Sequence, residues 1–279
     1  CQPCRALACP SQRRHRIAAR RRLDQPLPVQ YLYWVQGVLT GNLGESMRLK
    51  EPVLTLIRQK FPVTLQLALM AIVISLAIGV TAGIVSAVKK NTWIDYTVNV
   101  LALTGLSTPN FWLGIMLIFL FAVNLGWLPA SGYVSPFEDF WQSMRTTILP
   151  AFVLGNSFAA VLMRHTRSAM LQAMTSDYVR TARAKGLVER VVVLKHAMRN
   201  ALTPVITLGA LELGTLLSGA VLTEQVFSIP GFGKLIVDSV FNRDYAVVQG
   251  VTLITATTYI LLNLAADVLY VLVNPRLRG

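Results

Sequence analysis

"VTLQLALMAIVISLAIGVTAGIVSAV", residues 63–88, is a run of 26 residues without a charge. As an α-helix rising 1.5 Å per residue it covers about 39 Å, more than the ~30 Å hydrocarbon core of a bilayer. Lys89 and Lys90 stop it. The composition of the whole chain agrees. Its 279 residues are 54% hydrophobic and 14% charged, with a mean hydropathy of +0.53. A soluble domain carries about 25% charged residues, so the chain reads as a membrane protein rather than a large globular core.

Four more spans follow from the same reading. Val98–Asn124 has Thr108-Pro109 in its middle, and a proline there removes a backbone donor and kinks or breaks the helix. Ile148–Met163 is the weakest, because Arg164 arrives early; it extends back through Thr146-Thr147, with Arg164 snorkelling. Pro204–Val226 and Ala246–Val273 contain Glu212 and Asp267, carboxylates that are costly in a bilayer unless they face a bundle interior or water. Leu125–Tyr133, "LGWLPASGY", reads as an interfacial loop with Trp127 and Tyr133 at headgroup level.

The net charge of +13 does not form a solvated nucleic-acid face, because the cations sit between apolar runs. Residues 89–97, 164–203 and 274–279 hold twelve Lys/Arg, whereas the loops 125–147 and 227–245 hold three, Arg145, Lys234 and Arg243. The excess places the first set, and the C-terminus, on the cytoplasmic side. Residues 23–62 then form an external segment, and 63–274 the transmembrane domain. A chain that begins outside calls for an earlier span. Residues 1–22 offer none, and with no initial Met they read as an atypical, non-native or disordered start.

The search for a reaction centre comes up empty. Cys1, Cys4 and Cys9 have no second ligand pair, and His15, His165 and His196 lack metal-ligand spacing. "SIPGFGKLI" has Ser228 and Leu235 where a phosphate-binding loop needs Gly and Ser/Thr. No metal or cofactor is expected on this chain.

One segment is too long for a simple connection. Residues 171–203 include "TARAKGLVERVVVLKHAMRNALTP", residues 181–204, with five Lys/Arg and a His. Ser176 or Asp177 supplies a helix N-cap and Gly186 a stop, after which Val188, Val191, Val192 and Leu194 or Lys195 restart a helical pattern. Two short helices bent at a glycine make a docking element, with Ala182 and Ala184 small enough to lie against a partner. A solvated basic loop is the competing reading.

This segment resembles the cytoplasmic "EAA" loop of ABC-importer membrane subunits, in the peptide/nickel permease branch. The matching residues are Asp177, Tyr178, Val179, Arg180, Thr181, Ala182, Arg183, Ala184, Lys185 and Gly186, then His196, Arg199, Asn200 and Pro204. "GAVLTEQVFSIPGFGKLIVDSVFNRDYAVVQG", "LDQPLPVQYL", "GNLGESMR" and "NPRLRG" extend the likeness over residues 23–278. Arg180 stands where the general motif has Glu, and Met198-Arg199 where it ends in Leu-Pro.

The resemblance implies an all-α polytopic bundle of the type I importer class, acting as the non-catalytic, pore-forming subunit for dipeptides or oligopeptides in a bacterial inner membrane. It implies that the loop couples to a separate ATPase, which alone binds ATP and Mg. The implied partners are a second homologous permease, two ATPase subunits, and a periplasmic or lipid-anchored binding protein. Pro109, Asn156, Glu212 and Asp267 are the candidates for the pore or the permease interface. Two alternatives remain: a nickel or glutathione importer of the same build, and a proton-coupled secondary transporter using Glu212 and Asp267.

Overall fold

A computed structural model describes residues 25–273 of the chain. The stretch 1–22 and the basic tail 274–279 lie outside the described residues. The helices are α1 (Leu27–Leu39), α2 (Val53–Val88), α3 (Trp93–Ser107), α4 (Asn110–Leu117), α5 (Phe140–Met174), α6 (Asp177–Ala184), α7 (Glu189–Val191), α8 (Met198–Val226), α9 (Phe232–Phe241) and α10 (Tyr245–Val273). A π-helical turn, Ile118–Asn124, prolongs α4, and another, Val192–Ala197, fuses α7 to α8. Helices α2, α5 and the Tyr245–Ala266 part of α10 are each long and apolar enough to cross a membrane, and α3 with α4–Asn124 reach that length and apolarity only together, as a bent pair. Helix α8, 29 residues long, is the fifth long rod.

The bundle is organised on α2 and α5, which run parallel. Gln66 meets Ser143, Ser75 donates to the Gly155 carbonyl (2.8 Å), and Arg167 reaches Ser86 (3.0 Å) near the opposite end. The approach is close because small residues recur every four positions along α2: Ala71, Ser75, Gly79 and Gly83. A Cβ on Gly79 would lie 2.6 Å from the Ala159 carbonyl oxygen, so no side chain fits there. Lipid is as apolar as leucine, so association rests on this backbone proximity and on interhelical hydrogen bonds.

The span read as weakest is the central one. The most apolar stretch of α5 has a mean hydropathy of 1.6 against 2.5 for α2, yet 72% of it is buried against 28%. A helix enclosed by protein needs small and hydrogen-bonding residues, which lowers the very signal that marks lipid-facing helices. Arg164 is exposed.

Two helix starts differ from the apolar runs. Helix α2 begins ten residues before Val63, because Val53, Leu56 and Ile57 form one buried face against Phe232, Val247 and Val251. The expected pair of short helices in 171–203 is one short helix, α6, followed by an extension of α8. No Gly or Pro stands between Val188 and Thr203 to stop it.

The Thr108-Pro109 step is a break of 104° rather than a kink. Thr108 has ψ 122° and Pro109 ψ 130°. A residue before proline is pushed out of the helical region by the ring, and the chain restarts at Asn110. Helix α5 holds both sides of the break. Asn156 Nδ2 donates to the Gly105 carbonyl (3.0 Å) and Ser157 Oγ to Asn110 Oδ1 (3.0 Å).

The parallel α2 and α5 define the two ends. One carries Lys89, Lys90 and the 164–199 cations. The other carries Arg48, Lys50, Arg58 and Lys60 beside Arg145, Lys234 and Arg243. Four cations thus join the three counted in the loops, and the asymmetry in Lys/Arg is ten to seven among the described residues. The acids sharpen it, since Glu45, Glu51, Glu138, Asp139, Asp238 and Asp244 stand at the second end. The first is the basic end.

Candidate functional site

Helix α6 opens after Ser176, which sits at the N-cap position but turns its hydroxyl back to the Ala173 carbonyl. Asp177 occupies the first turn, where the helix dipole favours an acid. Gly186 ends the element at φ +76°, and nothing stands within 4 Å of where its Cβ would be. Its requirement is therefore conformational and not steric.

Tyr178, Arg180, Thr181, Arg183, Ala184, Lys185, Arg199 and Asn200 are exposed and His196 is half-buried. Ala182 is different. It is 5% exposed and joins Val179, Met170, Ala173, Val192, Val193, Ala197 and Ala87 in a core under the loop. The expectation that Ala182 lies against a partner is corrected: its small side chain lets α6 sit on its own chain. Arg183 pairs with Glu189 across the glycine turn (2.7 Å) and holds that carboxyl below its usual pKa.

A polar junction that sequence reading missed lies just beneath. Asp95, 2% exposed, takes a forked pair of bonds from Arg167 (Nε 2.9 Å, Nη2 2.8 Å). It also accepts from Asn99 (2.8 Å), from the Asn91 backbone (3.1 Å) and from the Ser86 hydroxyl. Helices α2, α3 and α5 are thus tied one turn from the core that seats the loop. In the sequence Arg167 is one of the cations of 164–203. An acid three residues before the next apolar run was the available signal.

The pore candidates lie on separate helices. Pro109 is exposed and lines an open groove of about 620 Å³ with Leu103, Ser107 and Trp112, on the bend. Asn156 is committed to Gly105. Glu212 is half-buried at the midpoint of α8, and the side chain of Asp267 lies outside the described residues.

The far end holds a second missed carboxyl. Glu224 is fully buried near the C-terminus of α8. It accepts from Thr64 Oγ1 and from the Lys234 backbone N–H (2.9 Å), while Thr64 Oγ1 accepts from the Phe232 N–H (2.8 Å). Helix α9 has no side-chain cap of its own, so Glu224 and Thr64 satisfy its open N–H groups. The Gly-Phe-Gly-Lys stretch thus offers its amides to a carboxyl of the same chain and not to a phosphate. Tyr133 also departs from expectation. It turns inward to donate to Gln66 Oε1 (2.8 Å), whereas Trp127 stays exposed.

Asp244, 4% exposed, receives the Ser46 hydroxyl (2.6 Å) and fixes residues 43–53 to the start of α10. Burial raises its pKa, but the bonds from Ser46 and the Arg48 backbone outweigh that and hold it below the usual carboxylate value. A depressed carboxylate stabilises the fold above its unfolded pKa of about 4 and loses that contribution as pH falls through the folded value. The stability advantage of the native protein over Asp244→Asn is therefore expected at pH 7 and should shrink between about pH 5 and pH 3. Thermal unfolding of both proteins across that range checks it; a constant difference would contradict the linkage.

Parallel apolar helices, one sharply bent helix pair and a helical loop at the basic end make the body of a membrane permease. Residues 79–279 match the family described as binding-protein-dependent transport system inner membrane component, and the chain belongs to that family. It is a multi-pass inner-membrane protein and the pore-forming permease subunit of an ABC importer. It is 46% identical to the di/tripeptide transport system permease protein of Pseudomonas aeruginosa, over 92% of this chain and 82% of that protein. The dipeptide permease of Escherichia coli K12 is 43% identical, with 96% and 86% covered. A glutathione permease from Salmonella choleraesuis is also 43% identical, with 99% and 89% covered. The MetNI methionine ABC transporter, in an inward-facing form, shares the fold at 18% identity, with a TM-score of 0.65 over 78% of this chain and 96% of that one.

Proposed function

We propose that the chain imports short peptides, that its basic end faces the cytoplasm, and that residues 177–200 receive the ATP-driven stroke of a separate ATPase. The observation that carries the cargo class is the identity of 41–46% to dipeptide and di/tripeptide permeases over nearly the whole chain. The glutathione relative fits the same class, since glutathione is a tripeptide. The chain pairs with a second homologous permease, two ATPase subunits and an external binding protein. The exposed groove at Pro109 suits the permease interface or the path itself. The coupling role draws support from the left-handed turn at Gly186 and from the core that fixes α6 to the ends of α2 and α5.

Reconstituted in liposomes with its partners, the protein should take up a labelled dipeptide only with ATP and with active ATPase subunits. Uptake that survives an inactivated ATPase would restore the proton-coupled alternative. In a background with Cys1, Cys4 and Cys9 replaced by Ser, thiol labels at Ser131→Cys and Lys185→Cys should react from opposite sides; labelling of both from one side defeats the orientation. Gly186→Val places a β-branched residue at φ +76°, where L side chains are strained. Cargo-stimulated hydrolysis should then fall at least tenfold while insertion is unchanged.

A further inference from the structure

We infer that Asn156 is a positioning residue for transport. It supplies the hydrogen bond that Pro109 removes from the bent helix pair, and so fastens α3, the bend and the start of α4 to α5 as one body. The inference takes the proposed coupling role of residues 177–200 as the source of that body's movement.

In a continuous helix the Gly105 carbonyl would accept from the N–H of residue 109. That residue is proline and has no N–H. The Thr108 N–H, the last donor before the ring, goes to the Thr104 carbonyl (3.0 Å). Gly105 is therefore left with a freed carbonyl between two apolar arms, and in a bilayer no solvent makes good that loss. Asn156 Nδ2 takes the empty place at 3.0 Å. The two helices touch there, since a Cβ on Gly105 would lie 3.2 Å from Asn156 Oδ1. The next residue of α5, Ser157, bonds Asn110 on the far side of the break (3.0 Å). Two neighbouring side chains of α5 thus grip both arms and hold the bend at 104°.

The rest of α3 is held in step with α5. Asp95 meets Arg167, Val98 and Ala102 pack with Met163 and Ala160, and Gly105 meets Asn156. The order runs forward along α3 and backward along α5, in steps of three and four residues, so one face of each helix makes a contact at every turn. Helix α3 cannot slide along α5 without breaking the ion pair at one end and the Asn156 bond at the other. Just beyond Arg167, Met170 and Ala173 of α5 lie in the core that seats α6 and the segment after it. A displacement of that core is therefore carried by α5 to the bend with α3 attached. Val100, Leu103, Pro109 and Trp112, on the side of the bend away from α5, line the open groove. The groove then moves as a unit instead of opening by a swing at Pro109.

The test uses the complete transporter in liposomes, with a labelled dipeptide as cargo. Asn156→Leu should lower uptake per ATP hydrolysed at least fivefold, with the KM for the dipeptide within twofold. Asn156→Gln, which keeps a donor on a longer arm, should lose less. A residue that only holds the fold would lower uptake and hydrolysis together, in step with folded yield, and that outcome would overturn the assignment. A raised KM with unchanged uptake per ATP would make Asn156 a cargo contact and equally overturn it. As a second measurement, spin labels are placed on the chain with Asn156 intact and Cys1, Cys4 and Cys9 replaced by Ser. Exposed Tyr96→Cys with Ser168→Cys reports α3 against α5, and Tyr96→Cys with Phe119→Cys reports the bend. Both distances should be the same in the nucleotide-free and the ATP-trapped transporter, and Asn156→Leu should broaden the second. A shift of either distance between the two states would reveal a hinge at Pro109 and sink the inference. If Asn156→Leu behaves as wild type while Gly186→Val uncouples hydrolysis, the coupling reading stands and only the role of Asn156 falls. If Gly186→Val is silent while Asn156→Leu still lowers uptake per ATP, the coupling reading falls and Asn156 keeps its role.

Discussion

Gly231→Ala is expected to destabilise the protein by at least about 3 kcal/mol, the scale of a buried polar group deprived of its partners. The added Cβ would lie 2.2 Å from Glu224 Oε1 and 2.3 Å from Cδ. Backbone strain plays no part, since Gly231 has φ −89° and ψ −173°, extended values open to any residue. The carboxyl has nowhere to go. Thr64 and the Lys234 amide hold it, and displacing it leaves the first turn of α9 without its acceptors. The decisive comparison is a double-mutant cycle. Glu224→Ala should itself be costly, because it removes the acceptor from the Lys234 N–H. In that background Gly231→Ala should cost well under 1 kcal/mol, because the atoms it collides with are gone. Thermal unfolding of the four proteins measures the coupling, and simple additivity would show that the contact is not the cause.

Asp95→Ala is expected to cost about 2–3 kcal/mol, a little below the 3–5 kcal/mol typical of breaking a fully buried ion pair. The discount follows from exposure: the Arg167 side chain keeps 26% of its surface in solvent, against 3% for Asp95. The loss comes from stranding the guanidinium and from freeing Asn99, Ser86 and the Asn91 N–H together. Replacing both partners at once, Asp95→Leu with Arg167→Met, removes the stranded charge and should regain most of the stability. Folded yield and melting temperature of the single and double variants give the answer. A double variant no better than Asp95→Ala would show that the pair's value lies in its hydrogen-bond network and not in charge balance.

Much of the architecture is legible in the chain. The uncharged run at 63–88, the break at Pro109 and the turn at Gly186 each follow from one local rule: apolar length, a missing N–H, a left-handed φ. The errors share a cause as well. Residues 148–163 read as the weakest span because hydropathy measures contact with lipid, and α5 is wrapped in protein. Ala182 read as a partner contact because small size says that something comes close, without saying what. Glu224 passed unnoticed because its role is to cap a helix that begins eight residues later, and no local pattern links a carboxyl to a distant amide.

The sequence by itself thus determined the solvent, the material of the spans and the places where the chain must turn, since those are properties of single residues and their near neighbours. Only the tertiary structure decided which apolar helix is central, which cations are free, and which carboxyls are spoken for. Those depend on the approach of α2 and α3 to α5, which brings residues 72 to 81 positions apart within hydrogen-bond reach. Arg167 shows the division plainly. In the sequence it is one more cation beside a membrane; in the fold it is held by Asp95, and the free charge at the basic end belongs to its neighbours.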